Sequence, residues 1–253
     1  MNIRNLKKKN MQNINQKMNN NTLVMRREIL KFFMVMAAVL SCANPLAGAI
    51  SWKINGNVLT ISGTGDMPDY NDYRTAPWKS YGFSKVVIEE GVTSIDANAF
   101  GFGSCGLKSI TIPNSVTKIG RGVVKGCTDL STMQVDKNNK TYDSRNGCNA
   151  IVETATNTLI SGCKNTKIPN DVISIGDSAF YNCQGLTSIT IPNSVTTIGN
   201  YAFSGCHNLF NVELGSGVKT IGYGAFINCP FKSITIPNSM TSIGNGAFSD
   251  CSG

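Results

Sequence analysis

A unit of 22 to 24 residues recurs from residue 83 onward in this chain of 253 residues, and this restricts the fold more than any other feature. A short unit cannot bury its own apolar face, so it must stack on copies of itself into an elongated array. Leu186–Asn208 reads LTSITIPNSVTTIGNYAFSGCHN and Phe231–Gly253 reads FKSITIPNSMTSIGNGAFSDCSG. Further copies run over Phe83–Gly106, Leu107–Asp129 and Leu209–Pro230. The stretch Leu130–Gly185 has 56 residues, room for two copies and about ten residues more, so seven rungs are expected.

Within a unit, Leu186, Ile189 and Ile191 mark an extended segment that turns Ser188 and Thr190 outward. Pro192 ends the segment because it has no N–H for a ladder. Val195, Ile198, Ala202, Phe203 and Cys206 then return to the interior at a spacing that predicts a short extended piece and a helical turn, with Gly199 at a positive-φ bend between them.

The pattern L-x-x-I-x-I-P-x-x-V-x-x-I-G-x-x-A-F-x-x-C, present at Leu186–Cys206 and Phe231–Cys251, resembles the BspA-type (Treponema pallidum-like) leucine-rich repeats. The resemblance implies a repeat solenoid: a right-handed superhelix, mainly β with short helical turns, with a parallel sheet on its concave side. It also implies a bacterial surface or secreted protein that binds host proteins or mediates adhesion. Val123-Val124 in place of Ala-Phe, and Asp136 and Gly215 in place of Pro, depart from the pattern.

The front of the chain reads differently. Residues 1–24 are rich in Asn and Lys and are expected to be disordered, or to be an extension upstream of the true start. From Met25, the basic residues Arg26, Arg27 and Lys31 precede an apolar run from Phe32 to Leu40 and the small triplet Ala47-Gly48-Ala49, so residues 25–49 are expected to be a signal peptide cleaved after Ala49. An alternative is a lipoprotein acylated at Cys42. Either route leads to a secreted or cell-surface location, and the apolar run is too short for a transmembrane span.

Charge follows the same division. The net charge is +8, but residues 1–49 carry 8 Lys/Arg and one acid, leaving 15 Lys/Arg against 14 Asp/Glu in the body. A nearly neutral body has no basic face for nucleic acid.

Residues 50–82 are expected to cap the repeats, and 83–253 to form them, with an inserted hairpin at about 136–163. In the cap, Asn55-Gly56 reads as a two-residue hairpin turn that sets Trp52 opposite Leu59 and Ile50 opposite Ile61. Asp66, Asp69 and Asp72 lack the spacing of a calcium loop, and an irregular segment anchored by Trp78 is expected there. In the insertion, Ala150–Glu153 pairs with Thr158–Ser161, Ile151 faces Ile160, and Val152 faces Leu159. That register puts Cys148 opposite Cys163 and leaves a disulfide between them open. Cys105, Cys127, Cys183, Cys206, Cys229 and Cys251 occupy one equivalent position per repeat, which predicts a buried row of reduced thiols. At the other end the last copy stops at Gly253, which is expected either of a fragment or of a rung covered by a partner.

No phosphate loop, nucleophile elbow or metal-ligand spacing is present, and His207 beside Cys206 does not make a dyad, since sequence neighbours rarely face each other. No cofactor and no enzymatic activity are expected. What remains is surface: a band of outward strand positions comprising Lys85, Val87, Ser109, Thr111, Thr132, Gln134, Asn165, Lys167, Ser188, Thr190, Asn211, Glu213, Ser233 and Thr235. Ser109, Thr111, Thr132, Gln134, Ser188, Thr190, Asn211, Glu213, Ser233 and Thr235 are the candidate binding residues, for an extracellular protein of host or bacterial surface. Tyr201, Phe210 and Tyr223 are expected as aromatic anchors at its margin. The competing expectation is a scaffold fragment of a longer exported enzyme or surface protein.

Overall fold

The computed structural model describes residues 49–70, 76–101 and 106–252, all within one compact unit, Leu46–Gly253. The expected extension at 1–24, the cleavage signal up to Gly48, the alternative Cys42, Asp72 and Cys105 lie outside the described residues.

In chain order the strands are β1 (Ser51–Asn55), β2 (Val58–Ser62), β3 (Gly65–Asp66), β4 (Lys85–Ile88), β5 (Val92–Ile95), β6 (Ser109–Ile112), β7 (Lys118–Ile119) and β8 (Thr132–Val135). There follow β9 (Tyr142–Asp143), β10 (Ala150–Glu153), β11 (Thr158–Gly162), β12 (Ser174–Ile175), β13 (Ser188–Thr190), β14 (Thr197–Ile198), β15 (Asn211–Glu213), β16 (Thr220–Ile221) and β17 (Ser242–Ile243). In most repeats a first-row strand is followed by a turn at Pro or its substitute and by a second-row strand of two to four residues. Like strands of successive repeats pair in parallel, as in β4–β6–β8 and β12–β14–β16–β17. The chain is a β-solenoid, and β2 of the cap hairpin joins the ladder ahead of β4, adding one rung before the repeats.

The return segments are tight turns, and a 3-10 turn at Arg145–Gly147 is the one helical element among the described residues. Gly199 does not take a positive φ; Tyr201 (54°) and Gly205 (75°) do, and the same spacing recurs at Gly224 and Asn228 (58° and 59°). Two left-handed residues four positions apart break any helix before it completes a second turn. Gly199 is small for a different reason: a Cβ there would sit 2.7 Å from the backbone N of Asp177 on the previous rung.

The spine of the C-terminal repeats is a column of parallel rings. Phe180–Phe203, Phe203–Phe226 and Phe226–Phe248 have centroids 4.9, 5.0 and 5.6 Å apart at interplanar angles of 10°, 4° and 8°. These spacings follow the rise of the β ladder. Beside the rings runs a row of thiols, each donating to the phenylalanine carbonyl of the rung before: Cys206 to Phe180, Cys229 to Phe203 and Cys251 to Phe226, at 3.1 to 3.2 Å. Cys183, Cys206, Cys229 and Cys251 are free thiols, the first three of them buried. In the N-terminal repeats the ring column consists of Trp78 stacked on Phe100 at 5.8 Å, and Trp78 Nε1 donates to the Ala99 carbonyl.

Both hairpins differ in register from expectation. In the cap, Asn55 pairs with Val58 and Trp52 with Ile61, because Gly56 takes the first loop position with φ 58° and Asn57 the second. A loop with glycine first and one positive φ fits the strand twist as well as Asn-Gly does. In the insertion, Val152 pairs with Leu159, but a bulge leaves Ile160 unpaired and sets Ile151 opposite Ser161. The extra residue takes Cys163 out of line with Cys148. The two are separate thiols: Cys163 donates to the Asn149 carbonyl and Cys148 to the Ala150 carbonyl.

The insertion divides the interior. Ala150, Val152, Leu159 and Cys148 belong to the core of the C-terminal repeats, whereas Ile151 and Cys163 belong to the core that includes the cap and the N-terminal repeats. β11 pairs in parallel with β12 and so enters the second-row sheet. Arg145 fastens the insertion at its rim, bonding Asp143, Asn157 and Asp171 at 2.7 to 3.1 Å.

Candidate functional site

The outward face of the first row is built by alternation. Along β6 and β8 the residues Ile110, Ile112, Met133 and Val135 are buried, and their neighbours point away from the core. Ser109 pairs with Thr132, and Thr111 with Gln134, which extends the column begun by Lys85 and Val87 of β4. In the later repeats Ser188 pairs with Asn211 and Thr190 with Glu213 across β13 and β15, and the Thr190 hydroxyl donates to the Glu213 carboxylate at 3.1 Å.

The candidate residues therefore fall on two sheets. Ser109, Thr111, Thr132 and Gln134 share the sheet β1-β2-β4-β6-β8, while Ser188, Thr190, Asn211 and Glu213 share the pair β13-β15. Ser233 and Thr235 are exposed and lie outside any strand. Asn165 and Lys167, expected as outward strand positions of one continuous band, are not in a strand.

A groove opens beside each sheet. One, of about 510 Å³, is lined by Glu90, Thr111, Pro113, Gln134, Asp136 and Lys137 among others. The second, of about 610 Å³, lies at the interruption and is lined by Asn149, Lys164, Asn165, Lys167, Ser188 and Thr190 among others. Both volumes fall in the range of ligand clefts. The sequence marks the strand residues of these grooves, but Asn149 and Lys164 escape the repeat pattern because they come from the insertion and its return. Phe210 is 60% exposed, and Tyr201 and Tyr223 meet edge to face at 5.2 Å.

Among the described residues, Cys206 and His207 do not form a reactive pair. Burial pushes the Cys206 thiol well above its ordinary value, the opposite of an activated nucleophile, and His207 is exposed while Cys206 is fully buried. Asp66 accepts the Thr93 hydroxyl, and no group of three His, Cys, Asp or Glu among the described residues is placed to hold a metal ion. Among them too, no helix is long and apolar enough to cross a membrane.

The family model for the BspA type leucine rich repeat region matches residues 78–152 and 148–253, with six copies. The chain belongs to that family. The two matches overlap at 148–152, a stretch that runs into the strand β10 (Ala150–Glu153) separating the two cores of this BspA-type chain. Among solved structures, a leucine rich cell surface protein of Faecalibacterium prausnitzii A2-165 is 25% identical, with a TM-score of 0.48 over 81% of this chain and 52% of that one. This chain thus spans about half the length of the F. prausnitzii chain. The pneumococcal vaccine antigen PcpA is 14% identical (TM-score 0.44, 81% and 86% covered), and the T. pallidum leucine rich repeat protein 21% identical (0.37, 81% and 87%). A comparison with curated proteins gives no match.

Proposed function

We propose that this BspA-type chain is a noncatalytic binding module, secreted or held at the cell surface, that recognises an extracellular protein of a host or of a bacterial surface through its first-row strand face. The observation that carries the reading is the pair of grooves on that face, whose walls include the candidate residues Thr111, Gln134, Ser188 and Thr190. Small hydroxyl and amide side chains repeated at strand spacing offer many weak contacts over a long surface, which suits a large partner better than a small one. Export through the segment 25–49, with cleavage after Ala49 or acylation at Cys42, belongs to the same proposal.

The test is capture: the purified chain is presented to a panel of extracellular-matrix proteins, host cells and bacterial surface proteins. Saturable binding to at least one is expected. Absence of binding across the panel would remove the adhesion reading.

A further inference from the structure

The repeat array contains an interrupted strand ladder. At each intact rung, first-row strands bond to neighbours on both sides, as β6 does to β4 and β8. Among the described residues, β13 has a strand partner on one side alone, β15. The Thr187 carbonyl accepts the Phe210 N–H at 3.0 Å, and the Ile191 N–H donates to the Glu213 carbonyl at 2.8 Å. In a parallel ladder, alternate residues bond to alternate sides, so the main-chain groups of Ser188 and Thr190 face away from β15. Among the described residues, no main-chain group bonds to them.

The cause lies in the insertion. Residues 164–168 should supply the missing neighbour, but Thr166 and Lys167 turn polar groups to the insertion instead, and the Lys164 N–H donates to the Leu130 carbonyl of the preceding repeat. Lys167 N–H donates to the Cys148 carbonyl at 3.0 Å, and the Thr166 hydroxyl donates to the Asn149 carbonyl at 2.7 Å. The groove of about 610 Å³ opens between this diverted segment and β13. Its charged lining residues are Lys164 and Lys167, and no acid among the described residues lines it.

We infer that this groove receives an extended peptide strand from an extracellular partner, which bonds to the free edge of β13 and places acidic side chains against Lys164 and Lys167. Main-chain bonding to an open edge supplies affinity, and side chains at every second position supply selection. The charge of the lining selects an acidic segment over a neutral or basic one. The inference rests on the binding-module reading and assigns one region of the surface to one class of partner.

The experiment uses the full chain and a fluorescein-labelled, end-capped peptide of alternating Thr and Glu, read by anisotropy. Saturable binding is expected. The same peptide N-methylated along its backbone should bind about tenfold more weakly or worse, because the edge bonds are gone. Substituting Lys167→Glu, at an exposed position, or Lys164→Glu should weaken binding several-fold with an unchanged circular dichroism spectrum, and a Thr-Lys peptide should bind worst. No saturable binding of the Thr-Glu peptide, equal binding of the N-methylated peptide, or indifference to both lysine changes would overturn the inference. A chain that captures an extracellular protein yet ignores the peptide overturns this inference alone. A chain that binds the peptide as described but captures nothing keeps the groove and loses the adhesion reading.

Discussion

Ile151 and Val152 are consecutive residues of one strand, and their side chains are buried in different hydrophobic cores. Strand alternation makes this possible, and burial on both faces makes β10 a wall between two blocks of repeats. Ile151→Ala should cost about 2 to 5 kcal/mol and speed hydrogen exchange first in β4, β6 and β8. Val152→Ala should act first on β12, β14 and β16. Uniform acceleration across both blocks by either variant would argue against a dividing wall.

Phe203 is sandwiched between Phe180 and Phe226 with nothing exposed. Phe203→Ala removes two ring stacks and leaves a cavity, with an expected loss of about 3 to 5 kcal/mol. Chemical denaturation measures it, and an unchanged midpoint would contradict the placement of the ring in a shared spine.

The thiol row gives the fold an alkaline limit. Burial pushes the Cys183 and Cys229 thiols up to about 12 from an ordinary 9.0, and Cys206 also upward. Between those values the folded chain keeps protons that the unfolded chain releases, so this stabilisation is full below pH 9.0 and falls as pH rises toward about 12. Each such thiol contributes a slope of about 1.4 kcal/mol per pH unit in that window. Denaturation midpoints followed across it should fall less steeply for Cys206→Ala than for the unaltered chain. Equal slopes would show that the thiol is not shielded.

Two glycines should answer differently to the same replacement. Gly56 has open space around it and a φ of 58°, so Gly56→Asn, a residue tolerant of that region, should change stability little. Gly199 lies against the backbone of Asp177, so Gly199→Asn must push neighbouring rungs apart and should cost about 1 to 3 kcal/mol or more. Thermal melts of the two variants compare them side by side, and a tolerated Gly199→Asn would mean that the rungs are farther apart than described.

The repeat, its inward residues and its outward ones were legible because alternation and period are carried by single positions such as Ile189, Phe203 and Ser188. Registers were less so. A one-residue bulge at Ile160, or the choice between Asn55-Gly56 and Gly56-Asn57 as the loop, depends on main-chain angles that residue identity only biases. The split of the candidate face was not legible at all. Ser188-Ile189-Thr190 and Ser233-Ile234-Thr235 are the same tripeptide, yet the first forms a strand and the second does not. The break ahead of Ser188 comes from the insertion, to which the Lys167 N–H and the Thr166 hydroxyl are committed, a pairing that no repeat position announces.

If partners are held by the outward strand face, bulky charge placed along it must weaken their binding. The dissociation constant for a captured partner is measured with the unaltered chain and with Thr132→Arg, Gln134→Arg, Ser188→Arg and Asn211→Arg combined, all at exposed positions. A weakening of about tenfold or more is expected, with the fold retained by circular dichroism. Undiminished affinity in a folded variant would place the binding surface elsewhere on the solenoid and contradict the assignment of function to this face.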